Sequence, residues 1–312
     1  MSEKSSIAQG APPQSGTGET STTLLRCFGP GLITGAADDD PSGIGTYSQV
    51  GAQFGFALLW TMLFSFPLMA AMQEICARLG RITGFGIADM LRKHYPMPLT
   101  YSVVFLLCLA NVFNFGADIS AMGAAAQLVF GGNPDVYAVA FGALSLLLQV
   151  YVPYRKYVNY LKWLTLVLFA YVGTAFVVHV PWTTVIRATI MPSFQWNIAY
   201  WMSLIAVLGT TISPYLFFWQ TSQEAEEVRI NAKESPLKKK PWQAFAQFQR
   251  IAIDTRLGMA FSNLVAFFII LTTAATLHAS DAAGGIQSSA DAAKVLKPLG
   301  GELAFLLFFS TD

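Results

Sequence analysis

Gly31-Leu-Ile-Thr-Gly-Ala-Ala-Asp38-Asp39-Asp40-Pro41-Ser42-Gly43 and, far downstream, Ala206-Val-Leu-Gly209-Thr210-Thr211-Ile212-Ser213-Pro214-Tyr215 decide the fold of this chain. Each stretch places a proline inside a segment otherwise apolar enough for a membrane. Proline removes a backbone donor and clashes with the preceding turn, and glycine lowers the cost of unwinding. Unwound backbone at membrane depth is tolerated only where it is buried in protein or lines a cavity. Paired broken helices in corresponding halves of a chain point to the binding site of a secondary transporter. Carboxylates at the first break predict a cationic substrate.

Working outward, the composition places the whole chain in a bilayer. It is 54% hydrophobic and 12% charged, with mean hydropathy +0.48, where a soluble domain is about 25% charged. A spanning helix needs about 20 apolar residues. Segments of that kind lie at 24–49 (broken near 38–43), 54–79, 98–130, 135–153, 158–180, 197–226 (broken near 210–214) and 247–278, and a further one begins near Gly301. The expected class is an all-α, multi-pass membrane protein. With the N-terminus in the cytoplasm, nearly every Lys and Arg falls inside, and only Arg187, Lys294 and Lys297 are left outside. That asymmetry predicts a cytoplasmic N-terminus. Lys238-Lys239-Lys240 then reads as a topology signal, with an anionic-lipid site as the alternative.

Residues 1–23 are polar and read as a disordered cytoplasmic tail. Lys4 is not followed by an apolar core, so no signal peptide is expected. Residues 24–312 read as one transmembrane transporter domain, with a first repeat over 24–180 and a partial second repeat over 197–312. Because the chain stops inside an apolar segment, it is expected to be a fragment of a longer protein. Cys27, Cys76 and Cys108 have neither disulfide nor C-x-x-C spacing and read as small buried hydrophobes.

Asp38, Asp39 and Asp40 precede Pro41 in succession. A carboxylate at mid-membrane costs several kcal/mol unless something offsets it, and a cation would do so. Asp40, directly before the proline, is the expected ligand. Asp38 and Asp39 cannot all share its face, so at least one meets an aqueous vestibule or a partner helix. The alternative is a triplet that caps a helix near the membrane surface. At the second break the candidate oxygens are the hydroxyls of Thr210, Thr211, Ser213 and Tyr215 and the carbonyls near Thr210. Carboxylate, carbonyl and hydroxyl oxygens form a hard site suited to Mg²⁺, Mn²⁺ or Ca²⁺. The alternative here is a proline kink whose Ser and Thr bond back to the backbone. In the third span, Asn111, Asn114 and Asp118 share one helical face. Asp118 is a candidate for proton relay, charge balance or helix–helix bonding. His94, His179 and His278 lie in a loop or at span ends, and none makes a metal cluster.

These residues resemble the NRAMP family of divalent metal transporters. The resemblance runs from about Gly29 to the C-terminus. It is densest in Gly29-Pro-Gly-Leu, Asp40-Pro41, Gly51-Ala-Gln-Phe-Gly-Phe56 and Ala77-Arg-Leu-Gly-Arg-Ile-Thr-Gly84. It implies a LeuT-type inverted-repeat fold with broken first and sixth helices and, here, an incomplete second repeat. It also implies metal contacts at Asp40, Gly43, Thr210 and Ser213, with Asn114, Asp118 and Tyr215 as supporting or proton-path residues. The chain departs from the family motifs twice. Asp-Pro-Gly-Asn becomes Asp40-Pro41-Ser42-Gly43, and Met-Pro-His becomes Ser213-Pro214-Tyr215. Amide, thioether and imidazole are all lost. That pattern is similar to the NRAMP-related branch implicated in Mg²⁺ transport.

The expected function is therefore movement of Mg²⁺ or Mn²⁺ into the cytoplasm across a bacterial plasma membrane. The rivals are a carrier of the same fold for a small organic cation or amino acid, and a truncated, non-transporting fragment. No catalytic constellation is visible, and Gly284-Gly285 lacks a Walker lysine. The expectation is thus no enzyme, no cofactor and no nucleic-acid partner, with the bilayer and the transported cation as the partners.

Overall fold

A computed structural model describes residues 34–35, 37–151, 169–230 and 236–278, and every regular element among them is helical. The expected tail at 1–23, Cys27, most of the span at 158–180 and the span from Gly301 lie outside these residues.

The first break falls at Asp39–Asp40. Residues 37–38 are helical, Asp39 bends, and Asp40 is extended at ψ 164°. Asp40 caps the next helix, α1 (Pro41–Phe54), by accepting from the Gly43 amide. An aspartate cap followed by proline at the first helical position is a strong start, because proline's missing N–H would be unpaired there anyway. Gly55 ends α1 at φ 57°. A 3₁₀ turn, Gly55–Leu58, then leads into α2 (Trp60–Thr83), and the chain bends by 106°. The second span thus starts later than the hydropathy suggested and runs on to a left-handed Gly84 cap at φ 71°.

Two short amphipathic helices lie where only loops were expected: α3 (Ile87–His94) and, later, α7 (Trp182–Ile190). Between them run α4 (Met97–Phe130), α5 (Pro134–Tyr151) and α6 (Phe169–Val177). The second broken span is α8 (Ile198–Thr211) and α9 (Pro214–Ile230), parted only at Ile212–Ser213. It is followed by α10 (Ala244–Thr276). Helices α4, α5 and α10 and the α8–α9 pair are each long and apolar enough to cross a membrane.

The core forms around α10. Val265, Ile269, Ile270 and Leu271 meet Ile44, Tyr47 and Val50 of α1, Leu58 and Met62 at the turn into α2, and Tyr200, Leu204 and Val207 of α8. In contrast, α4 and α5 pack mainly on each other. They leave Phe105, Phe113, Leu146 and Val139 exposed. Helices apolar all round suit a surrounding as apolar as themselves.

Where helices touch closely, glycine makes the contact. A Cβ at Gly80 would lie 2.3 Å from the Thr221 carbonyl oxygen, and the Thr221 hydroxyl donates across the same seam to the Cys76 carbonyl at 3.0 Å. Replacing a mid-helix glycine by alanine ordinarily stabilises by about 1 kcal/mol. At Gly80 overpacking against backbone outweighs this, at about 1–3 kcal/mol. Gly80→Ala should therefore lower the apparent Tm in detergent by several degrees; an unchanged or higher Tm would show that α2 and α9 are not in contact there.

Candidate functional site

The two breaks meet through Asp40. Its Oδ1 accepts from the Gly43 amide at 2.7 Å and the Ser42 hydroxyl at 2.8 Å. Its Oδ2 accepts from the Asn114 side-chain amide at 2.8 Å and the Tyr215 hydroxyl at 3.0 Å. Four donors from α1, α4 and α9 thus converge on one carboxylate. Such a carboxylate has a fixed orientation and a stabilised charge.

Asp118 forms the other side of the cluster. Its Oδ1 accepts from the Ser42 amide at 3.0 Å, and its Oδ2 lies 3.5 Å from the Asn114 Nδ2. Asn114 therefore bridges two carboxylates with its two amide hydrogens, and its own oxygen faces the Ser42 hydroxyl at 2.8 Å. The helical face read from Asn114 and Asp118 is the face that meets the first break. A cavity of about 340 Å³ opens beside them, lined by Asn111, Asn114, Phe115, Asp118, Tyr215 and Trp219. Asn111 lies one turn from Asn114 towards the α3 end of α4. Trp219 lies one turn beyond Tyr215 towards the same end of α9. The cavity therefore extends from Asp118 and Tyr215 towards the side that carries α3.

The second break is organised by proline's missing donor. Without an N–H on Pro214, the Thr210 carbonyl loses its helical partner. The Ser213 hydroxyl takes that place at 2.5 Å. Thr210 and Thr211 likewise donate to Ala206 and Val207 at 2.9 and 3.0 Å. These hydroxyls are thus turned back onto the backbone. Gly43 faces the Thr210 methyl: a Cβ there would sit 3.1 Å from both Asp40 Oδ1 and Thr210 Cγ2. Glycine at this position leaves a gap between the breaks.

Asp38 and Asp39 do not join Asp40. Asp38 is fully buried and accepts from Ser262 of α10 at 2.7 Å, so it meets a partner helix. Asp39 is also buried. Among the described residues no group of three or more His, Cys, Asp and Glu side chains is placed to hold a metal ion. Cys76 is buried and Cys108 exposed, both as free thiols. His94 ends α3 rather than lying in a loop, and His278 holds the Ala52 carbonyl at 3.0 Å.

Three residues of the cluster carried no mark in the sequence as site residues. Ser42 donates its amide to Asp118, and its hydroxyl lies within hydrogen-bond distance of both Asp40 and the Asn114 oxygen. Its position two residues after a capping aspartate was the available signal. Trp219 is one helical turn after Tyr215, which periodicity alone could have shown. Phe115 had no signal.

The family model described as natural resistance-associated macrophage protein-like, Nramp, matches residues 31–310. A divalent metal cation transporter MntH of Verminephrobacter eiseniae is 23% identical over 265 residues, 82% of this chain and 57% of the relative. A protein of the same name from Chromohalobacter salexigens is 23% identical over 282 residues, 88% of this chain and 62% of the relative. The chain therefore spans about three fifths of the length of these curated relatives. Among solved structures, the Eremococcus coleocola manganese transporter in complex with an aromatic bis-isothiourea substituted compound superimposes with a TM-score of 0.68 at 17% identity. That match covers 96% of this chain and 64% of the other. A mutant of the same transporter gives 0.69 at 16% identity, over the same shares. On that likeness the fold is the LeuT-type one expected from the motifs. With matching motifs, arrangement and spanning helices, this integral membrane protein belongs to the Nramp family.

Proposed function

We propose that this protein is a secondary carrier or facilitator, not an enzyme, for hard divalent cations, Mg²⁺ and Mn²⁺. It moves them into the cytoplasm across a bacterial plasma membrane, with its N-terminus inside. The observation that carries this reading is the Asp40 carboxylate, held by four donors of which two, Asn114 and Tyr215, line a cavity of about 340 Å³ together with Asp118. Two carboxylates bridged by one amide match a double positive charge. The relatives named divalent metal cation transporter support the same class.

In this reading Asp40 is the charged ligand. Thr210 and Ser213 would offer the lone pairs that their backbone-bonded hydroxyls leave free, and Gly43 keeps the space beside Asp40 clear of a side chain. Asn114, Asp118, Ser42 and Tyr215 orient the carboxylate. A hard cation that dehydrates reluctantly keeps an octahedral shell of water. Six waters at about 30 Å³ each occupy about 180 Å³, which the cavity accommodates. The wall includes neither sulfur nor imidazole. Mg²⁺ and Mn²⁺ should therefore compete on similar terms in calorimetric titration. Exclusion of Mg²⁺ by a strong Cd²⁺ preference would refute the hard site.

Ser213→Met tests the same idea from the other direction. It adds a thioether and frees the Thr210 carbonyl that the hydroxyl now caps. A soft ligand favours softer ions, so the ratio of Cd²⁺ to Mg²⁺ affinity should rise by about tenfold or more. An unchanged ratio would place Ser213 outside the ion's reach.

Phe115 and Trp219 give the rival reading an observation of its own, because aromatic faces beside carboxylates suit an organic ammonium. Tetramethylammonium should leave Mn²⁺ binding unaffected; displacement at matched concentration would favour that reading instead.

Transport should run on the cation's own gradient and the membrane potential. The potential contributes about 2.3 kcal/mol per charge per 100 mV, twice that for a divalent ion. Tyr215 stands where the family has histidine, and its hydroxyl is committed to Asp40. Proteoliposomes loaded with a pH dye should take up Mn²⁺ without matching acidification. Acidification that follows metal entry and is lost in Asp118→Asn would instead make Asp118 a proton site.

A further inference from the structure

At the end of the helices that carries α3, arginines and lysines are used differently. The arginines of α2, α9 and α10 are consumed internally. Arg81 and Arg250 face Glu224 and Glu227, Arg256 and Arg78 share Glu74, and Arg229 donates to the Gly84 carbonyl. Lys238 and Lys239 are exposed, and neither has a carboxylate within ion-pair distance among the described residues.

These lysines are nonetheless held in place. The Leu237 and Lys238 amides donate to the Arg81 and Ile82 carbonyls at 3.2 and 3.3 Å. The Leu237 side chain is buried, and Pro236 packs against Gly84 so closely that a Cβ there would lie 2.9 Å away. The turn is thus fastened to the end of α2.

Immediately after it, Trp242 and Phe245 are 74% and 75% exposed at the start of the spanning helix α10. Large aromatics at the start of a spanning helix sit at headgroup level. Lys238 and Lys239 lie a few residues before them in the chain and are exposed. The neighbouring α3 repeats the pattern: Arg92, Lys93 and His94 in its last turn are followed by the exposed Tyr95. Asp89 is the one carboxylate on that helix, and Lys93 lies 3.3 Å over the Phe85 ring. Both basic groups adjoin the Gly84 end of α2.

We propose that the turn at 236–240 and the basic end of α3 form a docking surface for the phosphate headgroups of anionic phospholipids. The lysines contact the phosphates, and Trp242 and Phe245 bury their rings among the first carbons of the acyl chains. The arginines of α2, α9 and α10 take no part, because glutamates or the Gly84 carbonyl already hold them, whereas Arg92 of α3 belongs to the surface. This surface is independent of the cation site.

Native mass spectrometry of the purified chain, titrated with phosphatidylglycerol or phosphatidylcholine, tests the proposal. Phosphatidylglycerol should be retained in preference, and raising the salt should release it. Each lysine should contribute about fivefold to affinity, so Lys238→Gln combined with Lys239→Gln should weaken retention by about twenty-fold, while the paired Arg replacements preserve it. Equal retention of phosphatidylcholine, or unchanged retention in the double Gln variant, would overturn the proposal. Displacement by millimolar inorganic phosphate would also overturn it, by showing a site for soluble anions. The salt titration needs only the unaltered chain, so the outcome does not depend on how a variant folds.

Discussion

Asp40→Asn should reduce the affinity for Mn²⁺ and Mg²⁺ by at least about a hundredfold while leaving the fold in place. A unit charge 4 Å from another is worth about 4 kcal/mol at an effective dielectric of 20, and a divalent ion doubles that. Only part of this is offset by the ion's lost hydration, so removing the charge should dominate every other single change at the site. Asparagine is the informative replacement. It caps a helix about as well as aspartate, so the Gly43 contact that starts α1 survives. Alanine would lose that cap as well; asparagine keeps it, although its amide nitrogen in place of Oδ2 leaves the Asn114 amide without its acceptor and requires the Tyr215 hydroxyl to turn. Calorimetric titration with both ions, beside thermal unfolding of the metal-free protein, separates binding from folding. Retained affinity in a folded Asp40→Asn variant would remove Asp40 from the site.

The second large effect concerns stability. Glu224 is 1% exposed and lies between Arg250 at 2.7 Å and the buried Arg81 at 3.7 Å. Breaking a buried pair leaves a charge uncompensated and costs about 3–5 kcal/mol. Glu227 also approaches both arginines, at 3.8 and 3.7 Å, and its side chain is 44% exposed. It offsets part of the loss, so Glu224→Gln should fall near the lower limit, about 3 kcal/mol. Glu227→Gln should cost less than about 1 kcal/mol, because an exposed pair is screened. Thermal unfolding of the two variants in one detergent decides the matter. Equal shifts would mean that Glu224 does not carry the junction of α2, α9 and α10.

Those pairings were invisible in the sequence. Arg81, Arg250 and Arg256 were legible only as inward-facing positive charge, a property of position along the chain. Arg78 lies one turn after Glu74 on the same helix, a pair that sequence spacing allows; that Arg81 and Arg250 meet Glu224, and Arg256 meets Glu74, depends on which helices pack together. The same division holds within the lysines. Lys238 and Lys239 look like the arginines in a charge count, and only the fold shows that no glutamate among the described residues lies within ion-pair distance of them.

Local chemistry explains what the sequence could determine by itself. Proline cannot donate a hydrogen bond, and apolar residues avoid water. The two breaks at Asp39–Asp40 and Ile212–Ser213, the spanning helices and the polar face of Asn114 and Asp118 therefore follow from residues close together in the chain. Exceptions came where local signals are weak. The α3 and α7 helices are too short for hydropathy to reveal, and α2 starts late because Gly55 adopts a conformation that composition does not report. Only tertiary structure decided that Asn114 and Tyr215 reach Asp40 from 74 and 175 residues away. It also decided that Asp38 turns to Ser262, while the Ser213 hydroxyl caps the Thr210 carbonyl. Periodicity gives the face a side chain occupies but not the helix that face will meet. That choice is made when the core closes around α10.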